Sequence, residues 1–291
     1  MKHEISENLM EIFRMKLLED EKSKATIDKY MKDVRMFFRT AERTGGVDKE
    51  LVMAYKEFLS GRYAPASVNS MLAALNCFFK KMGWYDCTVK LIKVQKDSFR
   101  AQEREMSKAE YYRLLRAAKA AKNERLYLVM ETMCSTGIRV SELQFITMEA
   151  LGKGQAKVSL KGKTRTVLLP AALTKKLKKY VRKKKIQRGS IFVTRSGKPM
   201  DRSNICHEMK ALCEAARVAA SKVFPHNLRH LFACTYYRVQ KDLSHLADIL
   251  GHSNVNTTRI YTLVSGKTQM KRIESLGLVT GAGQGLKRRG S

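Results

Sequence analysis

The sequence predicts a mainly α-helical protein with a small β-sheet, divided into two domains. Three observations carry that prediction. Apolar residues recur at spacings of three and four through most of the chain, the mark of helices that bury one face. One stretch, residues 156–169, departs from that period: two β-rich runs flank a basic turn at Gly162, a hairpin signature. Residues 94–106, "VQKDSFRAQEREM", are strongly polar with no apolar period, as a linker is. With 291 residues, 44% of them hydrophobic, each half has material for its own core.

The first domain is expected over residues 1–93. Its opening stretch is mixed in charge and reads as an amphipathic helix. Ile27, Tyr30, Val34, Phe37 and Phe38 share one face of a second helix, which Gly45 and Gly46 end. "DKELVMAYKEFLSG" is a shorter helix closed by Gly61, and Val68, Met71, Leu72, Leu75 and Phe79 mark a fourth. Four short helices with basic outer faces make a bundle.

The second domain is expected over 107–278, after the linker at 94–106. Ser107 and Glu110 form a capping-box pattern at its first helix. Leu126 to Cys134 reads as a buried helix broken by Gly137, and "RVSELQFI" starts another short helix. After the hairpin, Leu173, Leu177 and Val181 stripe a helix whose lysines and arginines read as a solvated face. "SIFVT" is read as a short strand and "RSGKPM" as its turn. Helices return from Asp201, and residues 279–291 read as a disordered tail.

Charge narrows the function. Lys and Arg number 57 against 27 Asp and Glu, a formal net charge of +30. Such self-repulsion suits a chain that works against a polyanion, nucleic acid first and an anionic membrane surface second. No apolar run approaches a membrane-spanning length, and no signal-peptide pattern opens the chain. The six cysteines, at 77, 87, 134, 206, 213 and 234, form no CxxC pair, and the six histidines show no metal-binding spacing. They predict small buried thiols in an intracellular protein without disulfides, metal or cofactor.

Four elements of the second half hold residues suited to one reaction. "STGIRVSEL" places Arg139 just after a glycine-broken turn. "LKGKT" puts Lys161 and Lys163 at the hairpin tip. In "PHNLRHLFA", His226 and Arg229 are three apart and share a helix face. "LGHSNVNTTRIYT" supplies His252 and Tyr261. Each has an ordinary reading alone: surface arginine, solvated lysine, helix-capping histidine, core tyrosine. Together they match phosphodiester transfer. Two arginines are suited to hold the non-bridging oxygens and to stabilise the extra charge of the transition state. A phenol, with an ordinary pKa of ~10, is brought to reactivity by nearby cations or a histidine base. A lysine on a hairpin can protonate the leaving 5′-oxygen, and no metal is required if the arginines supply the charge.

At these motifs the chain closely resembles the tyrosine recombinases, or phage-type integrases. The spacings agree with the resemblance: three from His226 to Arg229, twenty-three to His252 and nine to Tyr261. The resemblance implies an α+β catalytic domain behind a SAM-like, helical core-site-binding domain. It makes Arg139 and Arg229 the phosphate-binding arginines, His226 an aid to proton transfer, and His252 a hydrogen-bond partner of the scissile phosphate. Tyr261 becomes the nucleophile that forms a 3′-phosphotyrosine, and Glu142 a support of the first arginine. Family hairpins often read Gly-Lys-Gly-x-Lys, and this one is shorter by about a residue; counting forward from the strand favours Lys161 as the catalytic lysine, while counting back from Pro170 falls between the two and leaves Lys163 as the alternative.

The resemblance further implies strand exchange through a Holliday junction without ATP. Four protomers would act on double-stranded core sites with inverted half-sites, and "QMKRIESLGL" would dock on a neighbour or pack on its own domain. With the first helix beginning almost at Met1, a simple two-domain, Xer-like recombinase is expected. It would be a cytoplasmic, nucleoid-associated enzyme of bacterial, phage or mobile-element origin. Two alternatives stand beside it: a type IB topoisomerase-like nicking and resealing enzyme, and a catalytically silent DNA-binding relative.

Overall fold

In the computed structural model the described residues are 2–6, 8–41, 45–93, 105–160, 163–252, 254–262, 270 and 273–276. The expected linker therefore lies outside them except for Glu105 and Met106, and the expected tail at 279–291 lies outside them entirely. Internal contacts divide the chain into two units, Met1–Lys96 and Asp97–Ser291.

Met1–Lys96 holds α1 (Leu9–Glu19), α2 (Lys24–Ala41), α3 (Lys49–Ser60) and α4 (Pro65–Met82). Local chemistry sets the ends. The Asp48 side chain accepts from the Leu51 N–H at the start of α3, satisfying an orphan donor. Pro65 opens α4 and Gly83, at φ +79°, ends it. The apolar stripes meet in a core of aromatic rings, with Phe37, Phe38, Phe78 and Phe79 in edge or tilted contact. Two of the four helices are longer than expected, since α2 and α4 each run 18 residues. Helix α2 stops at Ala41, ahead of the two glycines read as its end; both have positive φ.

Asp97–Ser291 begins with α5 (Lys108–Ala120), whose capping box joins Ser107 and Glu110 as read from the sequence. Helix α6 (Glu124–Thr136) is buried over most of its faces and ends at Gly137. "RVSELQFI" forms 3₁₀ turns over Val140–Phe145 rather than an α-helix. Helix α7 (Met148–Lys153) leads into the hairpin β1 (Gln155–Leu160) and β2 (Lys163–Leu168), antiparallel with Val158 opposite Arg165 and Ala156 opposite Val167. Helix α8 (Ala171–Lys184) buries Leu173, Leu177, Tyr180 and Val181 and exposes its cations.

"SIFVT" is not a strand. Thr147–Ser190 and Val193–Pro199 are isolated bridges. The Ile191 N–H goes to Ile146 and the Phe192 carbonyl to Met200, so no single partner offers a ladder. Its apolar residues reflect burial of Ile191 and Phe192. Helices α9 (Arg202–Lys210), α10 (Cys213–Ala216), α11 (Pro225–Gln240) and α12 (Leu243–Leu250) follow, then 3₁₀ turns at Val255–Thr257 and Arg259–Tyr261.

All six cysteines are free thiols, but only Cys87 is fully buried and the other five are half-buried. Among the described residues, no helix is long and apolar enough to cross a membrane.

Candidate active site

The site is built on helix ends. An α-helix leaves its last carbonyls without internal partners and carries partial negative charge there. Two such ends, of α6 and of α12, meet one side chain. Arg229, on the second turn of α11 and only 2% exposed, donates from Nη1 to the Gly137 carbonyl (2.5 Å) and from Nη2 to the Leu250 carbonyl (2.7 Å). Gly137 permits this approach: it sits at φ +65°, and a Cβ there would overlap the Phe232 ring.

Arg139 follows two residues later at the start of the 3₁₀ turns. Its Nη1 donates to Glu142 Oε1 (2.9 Å) and its backbone N–H to Glu142 Oε2 (2.9 Å). Its Nη2 reaches the Gly251 carbonyl at 3.3 Å. The Arg139 side chain remains 38% exposed, so one face is open to a ligand. Glu142, by contrast, is buried. It holds Arg139 in place through both of its carboxylate oxygens.

His252 lies at the corner after α12, where Gly251 at φ +64° ends the helix. Its Nε2 is 3.1 Å from Arg229 Nη2, and its Nδ1 is 2.9 Å from Thr258 Oγ1. A guanidinium only donates, so Nε2 is the acceptor and Nδ1 carries the proton, donating to the threonine. Burial first, and then the three arginines around it, bring the His252 pKa down to about 4. The ring is neutral at physiological pH. His226, exposed on the first turn of α11, is also held below its ordinary value, by desolvation and then by Arg229, Arg202 and Arg139.

Tyr261 closes the site from the last 3₁₀ turn. It is 4% exposed and belongs to an apolar cluster with Ala233, Leu246 and Leu250. Its ring lies 6.3 Å from His252, nearly parallel at 14°, and 5.2 Å from His230. Burial raises the phenol pKa, and Arg229 acts against that rise. The two readings of this tyrosine are thus not exclusive: it packs like a core residue and sits beside the buried arginine.

Arg139, Glu142, His226, Arg229, His252 and Tyr261 are therefore brought together. Lys161 lies outside the described residues; Lys163 begins β2, and its side chain lies outside them too. Sequence reasoning missed two members. Thr258, fully buried, accepts from His252 Nδ1 and so orients the ring. Arg165 donates from Nη2 to Glu142 Oε2 at 2.5 Å and from Nη1 to the Ile249 carbonyl. A signal for Arg165 was available: it shares strand parity with Val167 and faces Val158, so it is a charged residue at an inward position.

Among the described residues, one trio of metal-ligand type is present, His3, Asp86 and Cys87. It belongs to Met1–Lys96, where the His3 ring bonds Asp86 at 2.9 Å and stacks on Trp84, tying down the chain start.

Comparison with known proteins gives a consistent answer. The model of the phage integrase family matches residues 104–267. Tyrosine recombinase XerA of Pyrococcus furiosus is 28% identical over 224 residues, 75% of this chain and 76% of that protein. Tyrosine recombinase XerC of Pediococcus pentosaceus is 26% identical over 284 residues, covering 88% of this chain and 93% of the relative. Among solved structures, a lambda integrase tetramer bound to a Holliday junction matches with a TM-score of 0.70 at 16% identity, covering 87% of this chain and 76% of that one. That likeness concerns the fold.

Proposed function

The chain belongs to the phage integrase family, and with that as premise we propose how it acts as a site-specific DNA recombinase. Tyr261 attacks the scissile phosphate. The phenol oxygen forms the new P–O bond while the bond to the 5′-oxygen breaks, leaving a 3′-phosphotyrosine and a free 5′-hydroxyl. Bond order at phosphorus is conserved, so the reverse attack by a 5′-hydroxyl of a partner strand reseals DNA without ATP. Two rounds pass through a Holliday junction.

Arg139 and Arg229 hold the non-bridging oxygens, where fixed guanidinium groups in a site screened from water act most strongly on developing charge. Neutral His226 takes the phenol's proton. His252 enters with Nε2 as an acceptor toward Arg229; the phosphate's negative charge favours its protonation, which turns both ring nitrogens into donors. Lys161 gives the proton to the leaving oxygen, with Lys163 as the alternative. Glu142 and Thr258 position Arg139 and His252.

One observation carries this reading: Tyr261 is buried against the same arginine that ties together two helix ends and His252. A topoisomerase-like activity shares the catalytic set but is not favoured by the recombinase relatives, and no member of the set is replaced, as a silent relative would require. The substrate is double-stranded DNA with inverted half-sites, acted on by four protomers. Docking of residues 269–278 on a neighbouring protomer is supported by exposed Met270, Ile273 and Leu276.

The test is a nicked core site, from which the cleaved strand end diffuses away and traps the adduct. Protein and DNA should migrate as one covalent species on a denaturing gel, and Tyr261→Phe should abolish it. An adduct that persists in that variant would show that another residue is the nucleophile.

A further inference from the structure

We propose that Arg165 is a positioning residue of the reaction: it neutralises Glu142 so that the charge of Arg139 stays available to the phosphate, and it holds the His252 corner in register. The inference rests on the recombinase reading above. Glu142 is 3% exposed and meets two guanidinium groups, Arg139 at 2.9 Å and Arg165 at 2.5 Å. One carboxylate between two arginines leaves a net positive charge. Without Arg165, Arg139 and Glu142 form a neutral pair in a partly buried site, where a unit of charge acts more strongly than in bulk water.

The second strand of the argument is the corner itself. Three consecutive carbonyls at the end of α12 each accept from a different arginine: Ile249 from Arg165, Leu250 from Arg229 and Gly251 from Arg139. His252 is the next residue. Arg165 also lies over Gly251 so closely that any side chain there would run into its Cδ. The strut therefore joins β2, the Arg139 turn and the histidine corner.

Packing alone does not call for this residue. Arg165 occupies a core-facing strand position opposite Val158, and its Nε is buried without a hydrogen-bond partner. An apolar residue would fill that position without the desolvation. Arg165 is not among the residues through which the family resemblance was drawn, and it acts through Glu142, Arg139 and the α12 end.

The experiment compares single-turnover cleavage of a nicked core site at saturating protein with the Kd for that DNA. The variants are Arg165→Gln, Arg165→Lys, Glu142→Gln and the Arg165→Gln/Glu142→Gln pair, with melting curves for each. Arg165→Gln should slow cleavage at least about 30-fold while Kd changes less than about threefold, because the loss falls on the transition state. The double variant should cleave faster than Arg165→Gln, since the carboxylate that neutralises Arg139 is gone, and Arg165→Lys should recover part of the rate. Wild-type cleavage within threefold in Arg165→Gln overturns the proposal. So does a double variant no faster than the single one, or a rate loss that only tracks the folded fraction. A wild-type chain that forms no adduct on its core site overturns the recombinase reading itself, a different result.

Discussion

The interiors of the two units are filled with different chemistry. In Met1–Lys96 the centre is rings: Phe13 meets Phe78 edge-on, Phe37 meets Tyr55 and Phe79, and Trp84 lies against Phe78 and Phe79. Asp33 is the one charged residue buried there among the described residues. In Asp97–Ser291 the buried residues include, beside an apolar core, Arg229 and Glu142 with Thr132, Thr136, Asn227 and Thr258. Burial is unfavourable enough to the charged form that the Arg229 pKa comes down to about 10. The first unit gains stability from what it buries. The second accepts a desolvation penalty, offset by carbonyls at helix ends, to keep positive charge inside the candidate site.

Removing the keystone should break that contrast most severely. Arg229→Leu leaves the Gly137 and Leu250 carbonyls without this donor. Covalent cleavage should fall by about a thousandfold or more, and Asp97–Ser291 should lose ~3–5 kcal/mol, read from adduct formation and denaturant melts. A variant that cleaves normally would remove Arg229 from the chemistry.

Phe37→Ala tests the other interior. It should cost ~3–5 kcal/mol in the unfolding of Met1–Lys96. Cleavage at saturating DNA and low temperature, where the unit is still folded, should stay close to wild type. A large loss in the chemical step would mean that the first unit takes part in the reaction.

Acid should separate the two interiors. In the unfolded chain His252 titrates at its ordinary 6.5, and in the fold at about 4. Between these values the unfolded chain binds a proton that the native unit refuses. Stability is therefore intact above pH 6.5 and declines as pH falls toward 4. The transition of Asp97–Ser291 should move to lower temperature from pH 7.5 to pH 5, and His252→Gln should flatten the dependence. An equally steep decline in that variant would place its source elsewhere.

The smallest expected effect is at the edge of the ring core. Lys29 pairs with Asp33 one turn along α2, at 2.5 Å, with the lysine side chain 43% exposed. Lys29→Met should cost only ~0.3–0.5 kcal/mol and should leave cleavage unchanged. A loss of several times that size would show that Asp33 needs its partner as a buried charge does.

Much of the site was legible in the sequence because the residues concerned have few substitutes. Arginine alone offers a permanent planar charge with paired donors, and a histidine and tyrosine at fixed distances along the chain constrain one another. Arg165 escaped because its strand reads as a basic hairpin, although its parity with buried Val167 marks the position as inward and the register opposite Val158 agrees. The strand read at "SIFVT" failed for the converse reason: burial of Ile191 and Phe192 gives the same apolar pattern whether or not a neighbour supplies a ladder.

By itself the sequence determined the helical stripes, the hairpin, the excess of positive charge and the order and spacing of the arginines, histidines and tyrosine of the candidate site. These depend on side-chain identity and short-range spacing, which a linear chain carries in full. The tertiary structure alone decided that three arginines meet three consecutive carbonyls at the end of α12, that Glu142 is buried between two of them, and that His252 carries its proton on Nδ1. Those facts depend on which segments approach one another across as many as 112 positions, as Arg139 and Gly251 do, and no local spacing encodes that.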